Sequence, residues 1–368
     1  MPLTRLAVTD DGDVLGLAGP GADRFTAGGA DVSDGPDSTV IVANAGDDLD
    51  ASGVRNRDTF TLVGPVPGNV ADRLLSNWGV TPWSRTRWES HPVHLFVRIP
   101  VGLLYLGTGR YARAHSSRDQ RTLEDCHLAI DPPLDLDVLD RVRPPSTPTA
   151  LPGLEWLDHL DGDRAAALRM FTEGWHPAPF GEPEPSTVTD VPTTLAEFYR
   201  LAHGRPHVLG VQNSIRPPAE LRTDHEGLLE FGLESQGGFV WALDPSEDDP
   251  VVWTIEDPTC RHRERERLSG FLIQFSLYEA VMCSFYRAWT DWVPWPVAHR
   301  LTGTLRRVPL RTWMWPLFQT SFYVAPGLII ETADDPEDEQ CQISAGAAHH
   351  SVLRPFADLD IPWTRFDG

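Results

Sequence analysis

FGLESQGGFVWALDPSEDDPVVW, residues Phe231–Trp253, is the stretch whose reading decides the fold. Its apolar residues alternate with polar ones, the period of a half-buried strand. Gly237-Gly238 is a hairpin dipeptide, and the acidic run from Asp244 to Pro250 forms a second turn before PVVWTIED continues as another strand. On such a hairpin Glu234, Ser235 and Gln236 point to alternate faces, so they cannot converge on one reacting atom. Asp244, Glu247, Asp248 and Asp249 lack the D-x-D-x-D-G spacing and distal Glu of a calcium loop. They read as a solvated turn or as the acidic decoration of a binding face. Trp241 and Trp253 serve as core or as anchors, and alternation buries at least one of them.

Outward from this stretch, CRHRERER (Cys260–Arg267) alternates in sign and is expected to lead into a helix. Ser269 is the candidate N-cap of that helix. Its apolar stripe is Leu268, Phe271, Leu272, Phe275, Tyr278, Met282, Phe285 and Trp289. TSFYVAPGLIIETADD (Thr320–Asp335) reads as a closing pair of strands, followed by an acidic loop and a short tail. Upstream, the residues from Gly153 to Trp175 carry helical spacing broken at Gly162. VPTTLAEFYRLAHGRP (Val191–Pro206) is a helix that Thr193 or Thr194 can cap and that His203-Gly204 ends.

The proline-dense RVRPPSTPTALPG (Arg141–Gly153) is the best domain boundary. It predicts a first domain over residues 1–142, a linker over 143–153 and a second domain over 154–368. The first is β-rich and mixed α/β, with DVLGLAG, STVIVANAG, HPVHLFVRIP and GLLYLGTGRYARA as short strands and turns. GNVADRLLSNWG (Gly68–Gly79) carries helix signals. The whole is an α+β protein of 368 residues, ample for two cores.

Net charge is −22, and all 31 basic residues are arginines. That excess argues against phosphate neutralisation and hence against nucleic acid as a partner. It favours attraction to basic partners. The missing lysine removes Schiff-base and P-loop lysine mechanisms. Cys126, Cys260, Cys283 and Cys341 contain no Cys-x-x-Cys pair and read as reduced thiols, with no metal or cofactor implied. The N-terminus lacks the apolar core of a signal peptide, and FLIQFSLYEAVMCSFYRAW is interrupted by Gln274, Glu279 and Arg287. A cytoplasmic protein without a membrane span is expected.

Catalytic motifs are weak. GTGRYA (Gly107–Ala112) nominally fits a dinucleotide-binding turn, but the polar residues after it supply no helix. His91 and His94, His203 and His207, and His349-His350 have no completing ligand nearby in sequence. A rival reading as an enzyme rests on His94, Arg98, Arg110 and His115 of the first domain, where alternation places His94 and Arg98 on one face.

From about residue 151 the order of elements resembles the SUKH superfamily. The residues that carry the likeness are Gln236, Gly237, Gly238, Trp241, Asp244, Pro245, Pro250, Val252, Trp253, Phe271 and Leu272. The resemblance implies helices packed on a bent antiparallel sheet and a non-enzymatic binding role. Many bacterial members look like immunity proteins that neutralise nuclease or deaminase toxins, and others serve as intracellular scaffolds or adaptors. The expected partner is therefore a protein, such as a basic toxin domain. The expected binding residues are Glu234, Gln236, Trp241, Asp244, Glu247, Asp248, Asp249 and Trp253.

Overall fold

The computed structural model describes the chain apart from residues 1–3, 10–13, 37, 47, 49–50, 67–91, 117–122, 145, 149, 177–190, 258–259 and 315–318. It divides into two compact units, Met1–Thr147 and Pro148–Gly368, with the break inside the proline-dense stretch. Both combine helices with mainly antiparallel sheet, an α+β architecture.

Among the described residues the first unit is built on one nine-stranded sheet. Its order is β2 (Asp23–Ala27), β3 (Ala30–Asp34), β4 (Thr39–Asn44), β7 (Val93–Ile99), β8 (Gly102–Ser116), β9 (Leu123–Ile130), β6 (Thr59–Val66) and β5 (Gly53–Val54), with β1 (Val8–Thr9) beside β8. The β4–β7 pair is parallel. The continuous apolar run of β4 is that of a strand covered on both faces. Ile41, Leu95, Val97 and Leu104 enter a core that includes Leu139 and Val142 of helix α1 (Leu136–Val142). Val40, Val42, Phe96, Leu103 and Tyr105 pack on the opposite side with Ala18. Val14–Ala18, expected among the short strands, is a 3-10 turn whose apolar residues cover the sheet instead of extending it. The helix expected over Gly68–Gly79 lies outside the described residues.

Among the described residues the second unit has two antiparallel sheets where one bent sheet was expected. The first runs β10 (Ser214–Ile215), β12 (Leu229–Leu233), β13 (Val240–Leu243), β14 (Val251–Asp257) and β15 (Cys260–Arg267), with β11 (Arg222–Thr223) paired to β12. The second runs β17 (Arg306–Arg307), β18 (Gln319–Ala325), β19 (Leu328–Asp335), β20 (Gln340–Ala347), β16 (Tyr286–Pro294) and β21 (Arg365–Phe366). The residues expected as a closing acidic loop and tail thus supply a third long strand, β20.

Helix α4 (Leu268–Cys283) is apolar on every side and correspondingly buried, as such helices must be. It touches β14 and β15 of one sheet, β19 and β20 of the other, and helices α2 (Arg164–Trp175) and α3 (Thr193–Ala202). Its Glu279 is 1% exposed and accepts the backbone N–H groups of Val211, Gln212 and Asn213 at 2.6, 2.7 and 2.8 Å. That carboxylate ties a loop lacking secondary structure to the core helix and satisfies the buried Asn213 donor along with two partly buried ones. The helix stops at Cys283, short of the expected stripe, and Phe285 beyond it is 73% exposed. A second short helix, α5 (Trp295–Thr302), follows β16. Among the described residues no helix is long and apolar enough to cross a membrane.

CRHRERER leads directly into α4, as expected, but it does so as strand β15. Its alternation is literal: Glu264 and Glu266 are buried while Arg263, Arg265 and Arg267 are exposed. Glu264 accepts the Thr254 hydroxyl at 2.7 Å, and Glu266 accepts Arg164 Nη1 and the Arg311 amide, both at 2.9 Å. β15 ends the order of its sheet. Inward carboxylates and outward arginines on an edge strand oppose pairing with a second sheet.

Candidate functional site

The hairpin between β12 and β13 is organised around Glu234. Its carboxylate accepts the Ser235 hydroxyl at 2.9 Å, the Gln236 amide at 2.9 Å and the Gly238 amide at 3.0 Å. Gly237 takes φ +74°, a conformation that suits glycine in such a turn. Burial acts to raise the Glu234 carboxyl, but the donors from Gly238, Ser235 and Gln236 outweigh it and hold the group below the usual carboxylate range. Glu234 is 6% exposed, so it is the internal brace of the turn and not a contact group. Gln236 beside it is exposed.

The acidic turn lies at the other end of β13, a strand of four residues. Gln236 and the acidic residues are therefore separated by about 13 Å of strand and do not form one patch. Within the turn each carboxylate has a definite partner. Asp244 accepts both the amide and the hydroxyl of Ser246, at 2.9 and 2.7 Å, which depress its pKa. Glu247 pairs with Arg267 at 2.9 Å, and Asp248 accepts the Thr193 hydroxyl at 2.9 Å. Thr193 therefore does not cap its own helix, whose N-cap position is Pro192. Asp244, Glu247 and Asp248 remain exposed.

Asp249 differs from its neighbours. Its two oxygens accept the Ser269 amide at 2.7 Å and the Ser269 hydroxyl at 2.9 Å, so it caps α4 from twenty residues away. Ser269 is not the N-cap, because the helix already begins at Leu268. An acid at a helix start also meets the positive end of the helix dipole. Replacing Asp249 with Ala should lower unfolding free energy by about 1–2 kcal/mol, read as a lower urea midpoint. Asp248→Ala should cost under about 0.5 kcal/mol, since its bond is at the surface.

Trp241 is fully buried, with its ring against Phe239, Phe271, Phe275 and Trp313 at centroid distances of 5.1, 5.3, 6.1 and 6.1 Å. It cannot be a contact residue. Trp253 pairs across the strands with Ala242 and Arg263, whereas Trp241 pairs with Thr254. Neighbouring pairs face opposite ways, so Trp253 projects from the other side of the sheet, where it is partly exposed. Of the eight expected binding residues, Gln236, Asp244, Glu247 and Asp248 are exposed, and Trp253 and Asp249 are partly exposed. Glu234, Trp241 and Asp249 hold the fold.

In the first unit, His94 Nδ1 lies 2.8 Å from the Tyr105 hydroxyl, and burial depresses the imidazole's pKa. Arg98 engages Asn44 at 2.9 Å and Asp31 at 3.4 Å. Four residues of strand, about 13 Å, separate the two on β7. Arg110 and His115 belong to β8, and their side chains lie outside the described residues. GTGRYA is the interior of that 15-residue strand, with no helix N-terminus for a pyrophosphate to meet. His349 bonds Ser351, and His350 is buried beside Tyr286.

Two features escaped the sequence reading. Phe285 is an exposed aromatic because α4 ends earlier than its periodicity suggests. Glu256, Cys260 and His262 gather at the tip of the β14–β15 hairpin, although their spacing matches no familiar ligand pattern. No protein-family model matches the chain, and neither a curated protein nor a solved structure similar to it is found.

Proposed function

We propose that the second unit is a SUKH-like, non-enzymatic binding domain that neutralises a nuclease- or deaminase-class toxin by occluding its basic surface. The reading draws on the order of helices, hairpin and core helix around Gln236–Leu272, and on charge. From Pro148 onward the chain has 33 acidic residues against 17 arginines, a net −16. Long-range attraction of that sign steers a basic partner inward.

The observation that carries the proposal is the acidic turn. Asp244, Glu247 and Asp248 are exposed on one short segment, and hydrogen bonds from Ser246, Arg267 and Thr193 fix their positions. A preordered set of carboxylates loses little conformational freedom on binding. Arg267 offsets part of the charge, so Asp244 and Asp248 are the stronger contacts.

The test is charge reversal in which Asp249 is spared, because it caps α4. Asp244→Arg with Asp248→Arg should slow association with a basic nuclease or deaminase domain captured by the parent chain from its native host by at least about tenfold at low salt. The difference should shrink as ionic strength rises. An association rate equal to the parent's, in a variant with native circular dichroism, would place the contact elsewhere.

A further inference from the structure

We propose that Glu256, Cys260 and His262 form a site for a zinc-class divalent cation, independent of any toxin partner. Cys260 and His262 are two apart on β15 and share a face. Ile255 pairs with Arg261 and Asp257 with Cys260, so Glu256 is an extra residue on β14. Such a bulge re-aims the side chain it inserts. Here the carboxylate joins the two residues on the opposite strand.

The distances fit an ion. Cys260 Sγ lies 3.3 Å from His262 Nε2 and 3.9 Å from Glu256 Oε2, and His262 Nε2 lies 3.7 Å from Glu256 Oε1. Zinc bonds of about 2.3 Å to sulfur and about 2.0–2.1 Å to nitrogen and oxygen, held tetrahedrally, give ligand-to-ligand edges of about 3.3–3.6 Å. One ligand atom from each of the three residues lies within 4.8 Å of the other two, so rotations of these side chains by up to about an ångström would close them on one cation. Thiolate, imidazole and carboxylate together are a donor set for zinc or cobalt rather than for calcium or magnesium.

Charge also fits. On binding, the Cys260 thiol loses its proton to solvent, and thiolate plus carboxylate neutralise a divalent ion with imidazole uncharged. Asp257 Oδ1 accepts the Cys260 amide at 3.0 Å and adds negative potential beside the site. Glu256 and His262 are exposed and Cys260 is half-buried, which leaves the fourth position to water.

The test uses the full chain stripped with chelator. Titration with Co2+ should give a thiolate-to-cobalt absorption band saturating at one equivalent, and Zn2+ should displace it. Cys260→Ser should abolish the band, while Cys283→Ser leaves it intact. His262→Ala and Glu256→Gln should each weaken zinc binding at least about tenfold, measured against a chromogenic chelator. Should a variant lose native circular dichroism, the parent protein decides the matter, because bound zinc must slow alkylation of Cys260. A missing band, a band that follows Cys283, zinc affinity unchanged in both His262→Ala and Glu256→Gln, or undiminished alkylation of Cys260 would overturn the site.

Discussion

Trp241→Ala is expected to lower the unfolding free energy of the second unit by about 3–5 kcal/mol, the range for removing a fully buried large aromatic. Four aromatic rings lose their common neighbour, including Trp313, which stacks on Trp241 at an interplanar angle of 24°. The cavity could not close easily, because Phe271, Phe275 and Trp313 are themselves fully buried and set by other contacts. The strand opposite is shaped for the indole: a Cβ at Gly232 would lie 2.8 Å from Trp241 Cε3. Gly232→Ala should therefore be destabilising by about 1–3 kcal/mol through crowding, the opposite defect at the same place. Urea midpoints for both variants check the pair. A Trp241→Ala protein within about 1 kcal/mol of the parent would contradict the core position of this residue.

The second large effect is a pH dependence centred on Glu331. This residue of β19 is 6% exposed, and its Oε2 has no hydrogen-bond partner among the described residues. Burial pushes its pKa up to about 8; Arg287 opposes the rise and Glu279 on α4 adds to it. Between the ordinary carboxyl pKa and about 8 the folded protein holds a proton that the unfolded chain has released. Stability from this group is thus greatest at low pH and falls as pH climbs toward 8. The ceiling on the effect is about 5 kcal/mol, at 1.36 kcal/mol for each pH unit of displacement.

Glu331→Gln removes the titration and keeps the shape. Its stability should follow the parent's below pH 5 and exceed it above pH 8, with the gap opening between them. His176 acts in the reverse sense: burial, with His207 and Arg205 nearby, depresses it to about 4, so its contribution grows as pH rises through the range below 6.5. It is common to both proteins and cancels in the difference. Denaturation curves at pH 5, 7 and 9 for parent and variant measure the effect, and parallel pH profiles would contradict it.

Local periodicity made the helices legible. Leu195, Phe198 and Ala202 mark the buried face of α3 in sequence as they do in space. The hairpin around Gly237 was equally plain. What the sequence concealed was chemistry between distant segments. Asp249 reads as one more acid in a polar turn, and only the approach of α4 makes it a cap. Glu264 and Glu266 lie in a run with no apolar residue to announce an inside, so their burial depends on Thr254, Arg164 and Arg311 from three other segments. The Glu256–Cys260–His262 cluster depends on a register shift, which no spacing rule records. The split between Gln236 and the acidic turn, by contrast, follows from the hairpin alone, since consecutive turns fall at opposite ends of their shared strand.

These relocations narrow the binding proposal. With Trp241, Glu234 and Asp249 committed to the fold, the proposed contacts are Asp244, Glu247 and Asp248, with Trp253 partly exposed on the sheet face and Phe285 an exposed aromatic. Carboxylates of this kind set the encounter rate, whereas a buried aromatic contact sets the lifetime of a complex.

The most direct measurement is the catalytic activity of a nuclease or deaminase domain captured by this chain from its native host, assayed with increasing amounts of the purified full chain. The account predicts loss of activity that completes near equimolar protein and is weakened by Asp244→Arg with Asp248→Arg. Undiminished toxin activity in excess protein would contradict it.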